Sequence, residues 1–351
     1  MNDILKPEER AVYALRRLYS NFGYAPYQMS RFEEYDLYVR NKDFLQSQQV
    51  ITFADRSGKL LALKPDVTLS IIKNAPDEPG VIQKLYYNES VYRCDPATHA
   101  MKEIMQCGLE CVGDLTDYEA AEVLLLAAKS LAALGGEFVL DVSHMGLVAA
   151  VLDAAGILDK KQALRCLSQK SSHELAALCE KEGADFEKLG ALVQLSGKPS
   201  QVLGKLKQIL TTDAEQSALM ELESLCKLLE DRGFGENVRV DFSVGSVMKY
   251  YSGVVFKGYL SGIPAPVLSG GQYDKLLSRM GRRSRAIGFA VYADLLQRRE
   301  EQPCVDTLIL HDPSADPAAV LAAAEEAAKS GTVLVTTKRP SGRTWNNLIE
   351  L

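Results

Sequence analysis

Residues 158–232 read as helix upon helix, and strand-rich sequence lies on both sides of them. This constrains the fold more than any other feature of the chain. A sheet begun before the block is resumed after it, so the helices form an insertion between strands distant in sequence. Within the block Leu219, Leu222, Leu225 and Leu229 trace one apolar stripe at helical spacing, and Gly233 ends it.

The flanks carry their own punctuation. Val12, Leu15, Leu18 and Tyr19 predict a helix over 6–22, stopped at Gly23. Strands are expected around 50–54 and 60–64, joined by the hairpin turn DRSG at 55–58, then at 81–87, at 90–94 and from Glu103 to Val112. Together they predict a mostly antiparallel sheet. Thr116 and Glu119 form a capping box that opens a helix running to Gly135. A strand at 138–142 and a short helix at 146–155 lead into the insertion. Strand signals return at 237–244 and 252–260, a third apolar stretch reaches LSGGQ at 268–272, and a final helix is expected near 285–299. Past Pro303 a small βαβ pattern appears in VDTLILH, an alanine-rich helix and TVLVTT. The expected organisation is an α+β core over 1–302 and a short α/β tail over 303–351.

The 351 residues fit about two domains, and 47% hydrophobic with 25% charged residues is an ordinary globular balance. A net charge of −6 argues against a chain that grips a long nucleic acid. No apolar run approaches the ~18 residues of a membrane span, and the amphipathic N-terminus does not resemble a signal peptide. Seven cysteines are scattered without a C-x-x-C pair, and four histidines are dispersed. Reduced thiols in a cytoplasmic protein, no metal and no cofactor are the expectation. Cys107 and Cys111, four apart on a strand, share a face and are expected to bury.

LSGGQ also occurs in transport ATPases, where it holds a nucleotide. Such an ATPase needs a glycine-rich phosphate cradle ending in Lys and then Ser or Thr. The Gly-Lys pairs here, at 58–59, 197–198 and 204–205, are followed by Leu, Pro and Leu. Without the cradle the five letters carry no ATPase.

Another set of segments accounts for them. TFADRSG at 52–58 with LKPDVT at 63–68, SVYRCD at 90–95 with KEIMQCGLE at 102–110, KYYSGVVF at 249–256 and GGQYD at 270–274 occur in order. Together they resemble the histidyl-tRNA synthetases, including motif 2, the histidine-specific tyrosine segment and the glycine strand that closes the histidine pocket. The resemblance implies a class II aminoacyl-tRNA synthetase-like core, an antiparallel sheet flanked by helices, usually dimeric. Carried over position by position, it implies a histidine site of Asp66, Thr68, Arg93, Gln106, Glu110, Tyr251 and Tyr273. Asp66 stands where those enzymes have a longer glutamate. Carboxylates would face the ligand's ammonium and Arg93 its carboxylate, while Gln106, Glu110 and tyrosine hydroxyls could satisfy the imidazole.

Each residue also has a plainer reading. Asp66, Gln106 and Glu110 taken singly read as strand residues facing solvent. Arg93 has Glu89 and Asp95 as nearby partners, and Tyr273 can pack on Leu276. Tyr250 and Tyr251, consecutive on a strand, would face opposite sides, with Tyr251 in the pocket.

The half of the site that activates ATP departs from the family. The histidine-specific arginine falls on Ser246 and the motif 3 arginine on Leu295, and the motif 2 loop reads HAMK at 99–102. Ser30 stands where motif 1 usually has proline, and the tail after 303 is much shorter than an anticodon-binding domain. Each lost charged donor is worth about 3 kcal/mol of transition-state stabilisation, so adenylation is not expected. An amino-acid pocket kept without the ATP groups resembles the regulatory subunit family of the short-form ATP phosphoribosyltransferase. That resemblance implies no catalytic groups, a catalytic-subunit partner in a hetero-oligomer containing a homodimer of the core, L-histidine as effector, and no tRNA. An active histidyl-tRNA synthetase or other adenylating enzyme, and a stand-alone histidine sensor, are the alternatives.

Overall fold

The computed structural model describes residues 5–41, 50–95, 98–245, 250–298, 304–340 and 344–351. Ser246 and Lys249 lie outside them. In chain order the core contains α1 (Pro7–Asn21), β1 (Ala25–Pro26), β2 (Phe32–Glu34), α2 (Tyr35–Arg40), β3 (Thr52–Ala54), β4 (Leu60–Leu63) and α3 (Thr68–Asn74). Then come the long strands β5 (Ile82–Cys94) and β6 (Met101–Gly113), followed by α4 (Asp117–Leu134), β7 (Phe138–His144) and α5 (Met145–Ala154). The insertion comprises α6 (Lys160–Ser168), α7 (Ser172–Glu182), α8 (Phe186–Gln194), β8 (Ser196–Gly197), α9 (Pro199–Ile209) and α10 (Asp213–Leu229). The sheet resumes with β9 (Val238–Asp241), β10 (Val254–Leu260), β11 (Leu268–Gln272), α11 (Asp274–Arg279) and β12 (Arg285–Tyr292).

Two compact units divide the chain, 1–297 and 298–351. In the first, nine strands form one sheet in the order β1-β5-β6-β12-β11-β10-β7-β9-β8. Its pairings are antiparallel except β1 with β5 and β7 with β9. The insertion therefore separates strands that end up in one sheet. In the second unit β13 (Cys304–Leu310), α12 (Pro317–Ala328), β14 (Val333–Thr336) and β15 (Thr344–Glu350) form a parallel sheet with β13 central. The sequence reading had not included β15.

Local chemistry sets the element ends. Pro7 occupies the first turn of α1, where no amide partner is needed, and the Lys6 N–H donates to Glu9 at 2.9 Å. At α4 the Thr116 N–H donates to Glu119 at 2.8 Å, and the helix stops at Gly135, whose φ is +78°. In α10 Leu219, Leu222 and Leu229 are buried, but Cys226 takes the fourth buried place and Leu225 is only half covered.

Four expectations need correction. Residues 285–292 are not helical: they form β12, at the centre of the sheet, followed by a 3₁₀ turn at Ala293–Arg298. Ala286, Ile287, Phe289 and Val291 are all buried, so β12 is covered on both faces and lacks the alternation that marks a strand. Segments 52–54 and 60–63 do not join the large sheet, but pair with β2 in a separate three-stranded sheet. The stretch 90–94 is the end of the long strand β5. Finally, Tyr250 and Tyr251 precede β10 rather than lying on it, so alternation does not separate them.

Candidate functional site

The site is organised by the pleat of β6. Cys107, Leu109 and Cys111 point to one face and are fully buried. On that side Phe289 of β12 meets Tyr19 of α1, with ring centroids 5.9 Å apart. Gln106, Gly108 and Glu110 point to the other face. The register places Tyr292, Ala290 and Gly288 of β12 directly opposite them.

A cavity of about 120 Å³ opens on this second face. All seven residues singled out from the sequence line it: Asp66, Thr68, Arg93, Gln106, Glu110, Tyr251 and Tyr273. Tyr87, Tyr250, Ser269 and Tyr292 complete the wall and were missed. Tyr250 and Tyr251 both face the cavity, with ring centroids 4.6 Å apart.

Glycines hold the volume open. A Cβ on Gly108 would sit 2.6 Å from the Tyr87 ring, and one on Gly271 would sit 2.8 Å from that of Tyr251. At Gly288 it would lie 1.8 Å from a Glu110 carboxylate oxygen. Glycine inside a strand pattern was the available signal for close approach, and three neighbouring strands carry it.

The polar groups are tied in place. Glu110, 3% exposed, accepts from the Thr68 hydroxyl at 2.7 Å and from the Tyr273 hydroxyl at its other oxygen. Burial pushes its carboxyl up to about 8, the two hydroxyl donors pull it down, and Asp66 pushes it further up. Tyr273 is thus bonded within the site rather than only packed on Leu276. Asp66 accepts from the Leu69 N–H at 3.0 Å at the start of α3. Burial raises its carboxyl too, opposed by that amide and by Arg93.

Arg93 donates through Nε to the Pro65 carbonyl at 3.0 Å, while its two acidic neighbours are engaged elsewhere. Glu89 pairs with the buried Lys64, and Asp95 with Lys102 at 2.7 Å. The Tyr92 N–H also donates to the Lys64 carbonyl at 2.9 Å. Residues 64–66 are therefore fastened to β5 at three points, and Asp66 is held against the cavity. Lys102 and Leu295, which stand at positions of the ATP half, are absent from the cavity wall.

Chemically the wall offers carboxyl groups, one guanidinium, an amide and phenols around a space the size of an amino acid. A family model described as histidyl-tRNA synthetase matches residues 2–296. The ATP phosphoribosyltransferase regulatory subunit of Symbiobacterium thermophilum is 32% identical over 295 residues, covering 79% of this chain and 73% of that protein. The chain belongs to the ATP phosphoribosyltransferase regulatory subunit family. Its homologue from Oceanobacillus iheyensis, of the same name, is 29% identical and covers 92% of this chain and 82% of its own length. A solved structure described as an ATP phosphoribosyltransferase regulatory subunit/histidyl-tRNA synthetase from Bacillus halodurans superposes with a TM-score of 0.74 at 25% identity. It covers 100% of this chain and 96% of that one. The fold is therefore the histidyl-tRNA synthetase-like fold, a large mixed sheet flanked by helices.

Proposed function

We propose that this chain is a non-catalytic regulatory subunit that binds L-histidine in the β6 cavity and confers histidine sensitivity on a short-form ATP phosphoribosyltransferase. The observation that carries the reading is the convergence of Asp66, Thr68, Arg93, Gln106, Glu110, Tyr251 and Tyr273 on one amino-acid-sized cavity. The names of its relatives support the partner, a catalytic chain of the first step of histidine biosynthesis. The core pairs as a homodimer inside that hetero-oligomer, in the cytoplasm, and does not bind tRNA. Among the described residues no helix is long and apolar enough to cross a membrane.

Adenylation would need cations converging on the α-phosphate. Arg93 is the only one that the described lining supplies, and Ser246 and Leu295 occupy the other arginine positions. Feedback through this chain requires that histidine bind one state of the complex better than another.

The test is reconstitution with a short-form catalytic chain. The mixture gains phosphoribosyl transfer that histidine inhibits, the chain alone gives a calorimetric histidine signal, and histidine-dependent ATP–pyrophosphate exchange stays at background. A mixture indifferent to histidine, or robust exchange by the chain alone, refutes the proposal.

A further inference from the structure

Glu110 is a carboxyl buried to 3% exposure in the cavity wall. Its hydrogen-bond partners Thr68 and Tyr273 are both hydroxyls, and among the described residues no cation pairs with it. The charged and titratable groups around it in the cavity wall are Asp66 before α3, Arg93 and Tyr87 on β5, Tyr250, Tyr251, Tyr273, and Tyr292 on β12. Arg93 is already bonded to Pro65, and the negative charge of Asp66 adds to the cost of a second anion. A carboxyl removed from water beside another carboxyl, with no described cation against it, keeps its proton even though the two hydroxyl donors oppose this, in agreement with its rise to about 8. Gly288 beneath it leaves no other side chain to share the site.

We propose that Glu110 carries a proton in the empty cavity and passes it to a ring nitrogen of the bound amino acid, which the site selects for that nitrogen's basicity. The Glu110 O–H bond breaks, an N–H bond forms on the ring, and the products are an imidazolium and a carboxylate held together. When the ligand arrives with a neutral ring, no proton is exchanged with solvent. This rests on the histidine reading of the cavity and adds the chemistry that distinguishes an imidazole from an amino acid of equal shape.

The pH dependence follows. Below about 6.5 the ring arrives already charged and the Glu110 proton must leave for solvent, so affinity falls with falling pH. Above about 8 Glu110 is already ionised and a proton must be taken up, so affinity falls with rising pH. Between the two it is flat.

The experiment uses the full chain with ¹⁵N-ring-labelled histidine near pH 7.5, and with 1,2,4-triazole-3-alanine, an isostere whose ring stays unprotonated there. The expected results are ¹⁵N shifts of a doubly protonated ring in the complex and binding of the triazole weaker by about tenfold or more. Glu110→Gln is expected to bring the two affinities together. A neutral bound ring, or equal affinities in the unsubstituted chain, overturns the proposal even if the variant does not fold. If neither compound binds, the histidine reading itself has failed.

Discussion

Replacing Glu110 by glutamine tests the buried carboxyl without any ligand. Glutamine keeps the side chain's shape and an acceptor for the Thr68 or Tyr273 hydroxyl, but it cannot ionise. In the unsubstituted chain the carboxyl titrates at about 8 when folded, against 4.5 ordinarily. Between those values the folded state binds a proton that the unfolded state has lost, so stability falls as pH rises. The slope is about 1.4 kcal/mol per pH unit, which accumulates to about 5 kcal/mol across the window. Below it both states are protonated, and above it both are ionised, so nothing further is lost. Asp66 adds a slope of the same sign, since burial raises it as well, but it is common to both proteins and largely cancels in the difference. Urea unfolding followed by far-UV circular dichroism reports the core, which among the described residues holds every α-helix except α12. Trp345, the only tryptophan, lies in β15 and reports the C-terminal unit separately. The variant is expected to gain on the unsubstituted chain by about 1.4 kcal/mol per unit from about pH 5 to about pH 8. Parallel stability curves would mean that Glu110 ionises normally and would refute the argument.

Other perturbations follow from the same geometry. Gly288→Ala places a Cβ 1.8 Å from Glu110 and 2.4 Å from the Leu109 carbonyl. The side chain can yield and the central-strand carbonyl cannot, so calorimetry should show lost histidine binding and unfolding should show a cost of about 1–3 kcal/mol. Arg93→Met should weaken histidine by about tenfold or more while leaving histidinol, which lacks the carboxylate, nearly unaffected; equal losses would remove Arg93 from that role. Lys64→Met strands Glu89 beside Asp66's segment and should cost about 3–5 kcal/mol in denaturant unfolding, much of it recovered in Lys64→Met/Glu89→Leu.

The legible parts of the fold were those written in local chemistry. The capping box at Thr116 and the turn at 55–58 appear where they were read, because a few residues suffice to specify them. Strand β12 was illegible for the opposite reason. It pairs with β6 and β11 along both edges, helices such as α1 and α4 pack on it, and nothing local records that these elements come from distant sequence. The same limit applied to the site. Its seven expected residues sit in segments whose resemblance could be traced one position at a time, and all seven reach one cavity. Tyr87, Ser269 and Tyr292 carry no such local mark; only the pairing of β5, β6, β12 and β11 brings them there. Tyr250 was misread because strand alternation was extended past the end of the strand.

The two faces of β6 divide the packing of the core from the lining of the cavity. Cys107, Leu109 and Cys111 contribute to the core that stabilises the unit, whereas Gln106 and Glu110 line the cavity, with Gly108 between them on the same face beneath Tyr87. Glu110 lowers stability at neutral pH by the argument above, and Gly108 and Gly288 forgo side-chain packing in central strands. Stability alone would favour an apolar residue at Glu110, whereas a Cβ at Gly108 or Gly288 would meet a neighbouring backbone carbonyl at 2.4 Å. Their joint presence, with Tyr87 packed over Gly108 and Glu110 over Gly288, is the arrangement expected of a space kept open for a ligand. An apolar replacement of Glu110, such as Glu110→Met, should therefore raise stability at pH 8 and abolish histidine binding together. Lower stability in that variant would show that the hydroxyl network around Glu110 supports the fold rather than a site.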